Sequence, residues 1–229
     1  MSEGSIIKDK DASSIWSGYI FQGEVAICRA LETINELIDK EVEIPETYML
    51  KIEEEEDFSI ITDSLLIFQV KAYTSHNYVK YAEAWRSLMT RYPENSKDNF
   101  LILHKGKLYY NSCEFESSDF PKKELMKSNV IAGKYTLDNI KVKILEQINN
   151  LCTKKGLSVD EPSIEHKYYN CCSKINTLIR MRHKSKVVEQ ILLVDIVDLV
   201  ADNSIVVTEE LAWYKAERRL INTQVSDLG

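Results

Sequence analysis

Residues 48–73 read YMLKIEEEEDFSIITDSLLIFQVKAY, and this stretch decides the fold. Three runs within it, 48–53, 56–62 and 65–73, are rich in β-branched, aromatic and aliphatic side chains, which is typical of β-strands. We predict two or three antiparallel strands, with Thr62-Asp63-Ser64 as the turn between the last two. An acidic run, EEEED, then joins the first strand to the second.

The hairpin places three chemically useful side chains within reach of one another. Strand alternation puts Gln69 and Lys71 on one face, and Asp57 lies at the start of the partner strand. A two-residue turn would set Asp57 opposite Val70, so that Asp57 and Lys71 lie on different faces. We therefore predict a three-residue loop, or a bulge near Asp57, which restores a shared face. The alternative is a solvated acidic run beside an edge-strand lysine.

Composition sets limits on the class of protein. The 229 residues are 44% hydrophobic and 28% charged, as in an ordinary soluble globular chain. No apolar run approaches the roughly 18 residues of a membrane span, and the first residues lack a signal-peptide pattern, so we predict a cytoplasmic protein with no membrane partner. The net charge of −7 argues against coating nucleic acid through bulk charge. The five cysteines lack zinc-ligand spacing and indicate reduced structural thiols.

The remainder of the chain predicts a mixed sheet followed by helices. A long helix from Ser14 carries Glu24, which on its own is most simply an exposed helix glutamate. Further predicted elements are a helix at 78–91, a strand at 99–104 that turns at Gly106-Lys107, a loop at 113–121, helices at 122–131, 136–155 and 163–182, a strand that becomes a helix at 187–203, and a terminal helix from 208. The predicted fold class is α/β, a small mixed sheet flanked by helices with a mainly helical C-terminal part.

The basic cluster Arg180-Met181-Arg182-His183-Lys184 is open to two interpretations. It is either a solvated helix end that complements the helix dipole or a phosphate contact. Other catalytic patterns are missing from the sequence: it has no G-x-S-x-G elbow and no H-E-x-x-H motif, and its four histidines have no ligand spacing.

Three pieces of the sequence resemble a known nuclease domain. They are IWSGYIFQGEVA at 15–26, EEEED at 53–57 and FQVK at 68–71. In this order they resemble the N-terminal nuclease domain of bacterial anti-phage effectors, a PD-(D/E)XK domain found in cyclic-oligonucleotide-activated systems and in Lamassu-type and other three-component ABC ATPase systems. INTLIRMRH at 175–183, with the apolar run after it, resembles the segment that follows that nuclease.

The resemblance implies a restriction-endonuclease-like core at 14–120. It also implies a helical region at 121–229 that completes the core and mediates partner or oligomer contacts. Within the core, the resemblance makes Asp57 the metal-binding acid, Lys71 the catalytic lysine and Glu24 the helix-borne acid. Gln69 holds the position that is more often Asp or Glu, and an amide oxygen is a weaker ligand than a carboxylate. The implied cofactor is Mg2+ or Mn2+, with the backbone carbonyl of Val70 as a further ligand.

The function implied is a metal-dependent DNA endonuclease that acts as effector of an anti-phage or anti-plasmid defence complex. Its substrate would be double-stranded DNA, and its implied partners are an SMC-like or ABC ATPase and a small accessory subunit. Restraint would come from these subunits or from homo-oligomerisation. The alternative is a non-catalytic assembly subunit that keeps a nuclease-like fold and binds the ATPase, while an RNase or a nickase would share the same site.

Overall fold

A computed structural model of the chain describes residues 12–54, 57–71, 103–110, 113–116 and 138–202, together with 135, 212, 215 and 216. Its helices are α1 (Ala12–Asp39), α2 (Ile140–Lys155), α3 (Glu161–Ser185) and α4 (Leu193–Ala201). Its strands are β1 (Met49–Ile52), β2 (Phe58–Ile61), β3 (Leu65–Lys71), β4 (Leu103–Tyr110), β5 (Cys113–Glu116) and β6 (Glu189–Leu192).

The strands form one six-stranded sheet in the order β5-β4-β3-β2-β1-β6. Strands β6, β1, β2 and β3 make a continuous antiparallel part, and β4 adds to β3 in parallel. Helices flank this sheet, and the chain after residue 138 is mainly helical. The predicted α/β class, with a small mixed sheet followed by helices, is therefore confirmed.

The hairpin between β2 and β3 has the longer of the two loops considered. Ile61 pairs with Leu65 and Phe58 with Phe68, which leaves the three residues 62–64 as the loop. Stacking of the Phe58 and Phe68 rings, with centroids 4.5 Å apart, supports this register from the core side. The prediction of a longer loop is confirmed. One position beyond the Phe58–Phe68 pair, the same register sets Asp57 opposite Gln69.

Helix α1 is the central element of the core. Every residue from Ile20 to Leu31 is buried, which is the pattern of a helix that is enclosed on all sides. The Arg29 guanidinium lies over the Phe68 ring, 5.8 Å from its centroid, on the sheet side of the helix. On the other side, Asn35 Nδ2 donates to the backbone carbonyl of Gln147 in α2 at 3.0 Å. α1 is thus enclosed between the sheet and the C-terminal helices.

Helices α2 and α3 begin and end where their local sequence dictates. The buried residues Ile140, Ile144 and Ile148 recur every four positions and form the core face of α2. Gly156 ends this helix in the left-handed region at φ 66°, a conformation that glycine adopts without strain. Asp160 caps α3 by accepting from the Ser163 backbone N–H at 3.0 Å.

Several predicted boundaries differ from the structure. β4 runs straight through Gly106-Lys107, so the predicted turn there is wrong, because parallel pairing with β3 keeps that backbone extended. The predicted loop at 113–121 contains β5, which pairs with β4. The strand-to-helix prediction at 187–203 is confirmed by β6 and α4. The predicted helices at 78–91 and 122–131 lie outside the described residues, as does most of the one from 208.

Two further predictions concern the chain as a whole. The division into parts at 14–120 and 121–229 stays a prediction, and β6 from the second part pairs with β1 of the first. Within the residues that the structure describes, no helix is both long and apolar enough to cross a membrane.

Two glycines of α1 provide a test of how closely the helices pack. A β-carbon added at Gly23 would lie 3.1 Å from Ile179 Cδ1 and 3.2 Å from Ile175 Cγ2 of α3, whereas one at Gly18 meets none of the described residues within 4 Å. We expect Gly23→Leu to lower the free energy of unfolding by roughly 1–3 kcal/mol through overpacking.

Gly18→Ala is the control in which the added side chain meets none of the described residues. It adds a methyl group and helix propensity without a clash, so it should raise stability by up to about 1 kcal/mol. Thermal unfolding measures both changes, because 1 kcal/mol shifts the melting temperature of a chain of this size by about 2–4 °C. A Gly23→Leu variant that unfolds at the wild-type temperature would contradict the described contact between α1 and α3.

Candidate active site

The acidic run forms a tight loop between β1 and β2. We call residues 53–57 the acidic loop, of which the structure describes Glu53, Glu54 and Asp57. Glu53 adopts the left-handed backbone conformation at φ 52°, and its N–H donates to the carbonyl of Asp57 at 3.1 Å. Lys51 Nζ lies 2.6 Å from Glu54 Oε2. The loop therefore turns back on itself and returns the chain to the sheet at Asp57.

Asp57 is held by two neighbouring elements. Its Oδ2 atom accepts a hydrogen bond from the backbone N–H of Val70 in β3. Its backbone carbonyl accepts a second one, from Gln22 Nε2 of α1 at 2.8 Å. A half-buried carboxylate is thus fixed against β3 at the residue between Gln69 and Lys71. The backbone of both these residues belongs to β3, and their side chains lie outside the described part of the structure.

Glu24 lies deep in the core and not on the surface. Its exposed fraction is 1%, and its Oε1 atom accepts a hydrogen bond from Tyr168 Oη of α3 at 2.7 Å. The simple interpretation of Glu24 as an exposed helix glutamate is wrong, because α1 is enclosed on all sides at this position. A role for Glu24 beside Asp57 at one metal ion stays a prediction.

The end of α3 contacts the acidic loop. The Arg182 guanidinium donates from Nε and Nη2 to the Glu53 carbonyl at 3.3 and 3.1 Å, and from Nη1 to the Lys186 carbonyl. His183 Nε2 lies 3.1 Å from Glu53 Oε1, and the His183 ring meets Tyr19 edge-on at 4.6 Å. Both interpretations of the basic cluster miss this contact, in which a cation binds a backbone carbonyl of the acidic loop.

Three residues join the site that the sequence had not assigned to it. Gln22 stands beside Glu24 in the resembling stretch IFQGE, so that motif contained a signal for it. Tyr168 and Arg182 have no such signal, because each is separated from its acidic partner by more than a hundred positions along the chain. Only the packing of α3 on α1 and on β1 brings them to the site.

The chemistry of the donors suits a hard divalent cation. An anchored carboxylate at Asp57 and an amide at position 69 offer oxygen ligands, which Mg2+ and Mn2+ prefer. Within the described ranges, no group of three or more histidine, cysteine, aspartate or glutamate side chains is arranged to hold a metal ion. Gln69, Glu24 and the Val70 carbonyl stay predicted ligands beside Asp57.

Comparison with known families identifies the C-terminal half. Residues 104–224, more than half of the chain, match the family model CTD1, which is C-terminal domain 1 of the ABC-three component (ABC-3C) systems. The chain belongs to this family. It is a component of an ABC-three component system, which supports the expected place in a multicomponent defence system with ABC ATPase partners. Searches among curated proteins and among solved structures found no match.

The ABC-three component family region contains α2, α3, β6 and α4, and it begins inside β4. The acidic loop, Gln69 and Lys71 all precede it. Three of the described hydrogen bonds join the two parts at Glu24 and at Glu53, one from Tyr168 to Glu24 and two from Arg182 to the Glu53 carbonyl. The family region therefore contributes directly to the surroundings of the acidic residues.

The described cysteines have structural roles. Cys28, Cys152, Cys171 and Cys172 are buried and free of disulfides, in agreement with the expected reduced thiols. Burial raises the pKa of the Cys171 thiol to about 12, and it also raises the pKa of Cys152. Because the thiolate is the reactive form, a raised pKa makes these thiols poor nucleophiles at neutral pH.

We expect Cys171 to resist alkylation in the folded protein. With a pKa of about 12, only roughly one thiol in ten thousand is ionised at pH 8, and the side chain is also inaccessible. Peptide mapping after iodoacetamide treatment should find Cys171 unmodified in buffer and modified in urea. A Val142→Cys variant provides the accessible control, because Val142 is 64% exposed. Rapid native labelling of Cys171, at the rate of that control, would contradict its burial.

Proposed function

We propose that the chain is a Mg2+-dependent DNA endonuclease and the effector of an ABC-three component anti-phage defence system. The observation that carries this proposal is the anchored Asp57 carboxylate. Val70 N–H fixes its Oδ2 atom at the point of β3 that lies between Gln69 and Lys71. An acid and an amide offer oxygen ligands for a metal ion, and an amine can stabilise the negative charge that develops in phosphodiester hydrolysis.

Each residue has a separate role in this proposal. Asp57 and Gln69 hold the metal ion through oxygen atoms. Bound Mg2+ supplies Lewis-acid polarisation of the phosphodiester and lowers the pKa of a coordinated water. Lys71 places an ammonium group where negative charge develops on the phosphate oxygens. Gln22 and Val70 keep Asp57 in place, since a ligand that is already positioned loses less conformational entropy when the ion binds.

The family match supports the defence role and the control of the enzyme. An unrestrained nuclease would cleave the DNA of its own cell. We propose that the ABC ATPase of the system, together with an accessory subunit, restrains the nuclease. The family region contacts the acidic loop through Arg182, so a partner bound to that region is well placed to influence the site.

The second candidate is a non-catalytic assembly subunit that binds the ABC ATPase. Two observations favour it. The family match lies over the helical half and does not reach the acidic loop. Gln69 stands where a carboxylate is more common, so the site has less negative charge to hold a cation.

We expect Asp57→Asn to abolish DNA cleavage while the protein remains folded. The amide side chain retains an oxygen that accepts from Val70 N–H, but the charge that attracts the metal ion is lost. Plasmid cleavage should fall by roughly 100-fold or more, as it does when a directly stabilising group is removed. Asp63→Asn is the matched control, because Asp63 lies at the opposite end of the same hairpin and binds Tyr48 Oη at 2.6 Å. Equal cleavage by both variants would exclude the site at Asp57.

We expect Mg2+ or Mn2+ to support cleavage and a chelator to stop it. The proposed ligands are all oxygen atoms, the ligand type that Mg2+ and Mn2+ prefer. Isothermal titration with Mn2+ measures binding separately from activity, and Asp57→Asn should remove that binding. A wild-type chain that neither binds Mn2+ nor cleaves plasmid, with or without its partners, would favour the assembly subunit. Cleavage that continues in excess EDTA would rule out the proposed mechanism.

A further inference from the structure

Arg182 stands out among the residues around the acidic loop because its three bonds join two different segments. Nε and Nη2 donate to the Glu53 carbonyl, and Nη1 donates to the Lys186 carbonyl just after α3. Arginine suits this arrangement since its planar guanidinium carries five donors in a rigid fork. The two bonds to Glu53 are partly shielded from water, whereas the bond to Lys186 is exposed. Arg182 therefore ties the end of α3 to the start of the acidic loop.

The backbone of Glu53 passes this restraint to Asp57. Glu53 is in the left-handed region at φ 52°, which non-glycine residues rarely adopt and which persists only when neighbouring contacts hold it. Those contacts are Arg182 on its carbonyl, His183 near its carboxylate, and its own N–H on the Asp57 carbonyl. The same Asp57 carbonyl accepts from Gln22. One continuous set of hydrogen bonds thus runs from α3 to Asp57.

We infer that Arg182 is a positioning residue for the proposed metal site, through which the ABC-three component family region sets the geometry of the acidic loop. This inference rests on the proposed function for its catalytic consequence. The described bonds of Arg182 go to backbone carbonyls and not to the Asp57 carboxylate. It fixes the Glu53 carbonyl, and the Glu53 N–H then holds the backbone of Asp57 where Val70 N–H can bind the carboxylate. Loss of the Arg182 hydrogen bonds should weaken metal binding before it affects the chemical step.

The decisive variant is Arg182→Lys, with Arg180→Lys as its matched control. Lysine keeps the positive charge and much of the length, but a single ammonium cannot reproduce the fork that joins Glu53 to Lys186. Arg180 is an exposed arginine of the same helix, two positions earlier, so its replacement makes the same chemical change on another face. Arg182→Ala is a more severe substitution, because it removes both the positive charge and the hydrogen bonds to Glu53 and Lys186.

Three measurements on the full chain test the role. Hydrogen exchange of the peptide that covers the acidic loop should speed up about tenfold in Arg182→Lys, while the β2–β3 hairpin exchanges at the wild-type rate. Titration with Mn2+ should give a dissociation constant raised about tenfold. Cleavage as a function of Mg2+ should show a higher midpoint and an unchanged maximum rate, so that excess Mg2+ restores activity. General destabilisation would instead speed exchange throughout the core and lower the maximum rate.

The outcomes separate this inference from the proposed function. If Arg182→Lys matches Arg180→Lys in loop exchange and in Mn2+ affinity, Arg182 does not position the loop and the inference is wrong. If the wild-type chain binds no Mn2+ and cuts no DNA, the proposed function fails. Exchange of the acidic loop then decides alone whether Arg182 anchors it: acceleration supports that role, and its absence overturns it.

Discussion

The burial of polar side chains on α1 is the constraint on which the rest of the structure depends. Among its described contacts, four hydrogen bonds run to four different parts of the chain, and they involve three buried side chains and the half-buried Glu32. Gln22 donates to the acidic loop, Glu24 accepts from Tyr168, Glu32 accepts from Tyr135, and Asn35 donates to α2. A buried polar group that loses its partner costs about 1–3 kcal/mol. Alternative packings of the sheet and helices around α1 would break several of these bonds at once, so one arrangement is favoured.

This constraint also explains why the candidate site lies where it does. The sheet brings β2 and β3 together by hydrophobic pairing, and the Phe58–Phe68 stack is part of that core. The acidic loop alone has no such apolar anchor. It is fixed by hydrogen bonds from Gln22, Val70 and Arg182, which come from a central helix, a strand and a C-terminal helix. Hydrophobic packing forms the framework, and directional polar bonds then set the position of the carboxylate.

Local patterns allowed much of the fold to be predicted. The need for a shared face predicted a three-residue loop or a bulge, and the structure has the loop. The helix predicted at 136–155 corresponds to α2. The strand-to-helix change at β6 and α4 was also visible. The errors at Gly106-Lys107 and in the 113–121 loop have one cause. Glycine and polar residues favour turns in isolation, but pairing of β4 with β3 and of β5 with β4 overrides that preference.

The candidate site was predictable only where its residues are close in sequence. Asp57, Gln69 and Lys71 belong to one hairpin, so their types and spacing drew attention to them, although their chemistry stays a prediction. Burial of Glu24 was missed because an apolar neighbourhood does not reveal a distant Tyr168. Arg182 resembled an ordinary basic helix end for the same reason. Long-range hydrogen bonds leave no periodic trace in a sequence.

The pairing of β6 with β1 has a consequence for how the protein is made. These two strands are separated by roughly 140 residues, so β1 has its outer partner only after residues 189–192 have left the ribosome. At about 5–20 residues per second, that delay lasts on the order of ten seconds. Until then, one edge of β1, the strand directly before the acidic loop, lacks its partner, and α3 is completed only shortly before β6. The acidic residues therefore reach their final arrangement only after α3 and β6 have been synthesised.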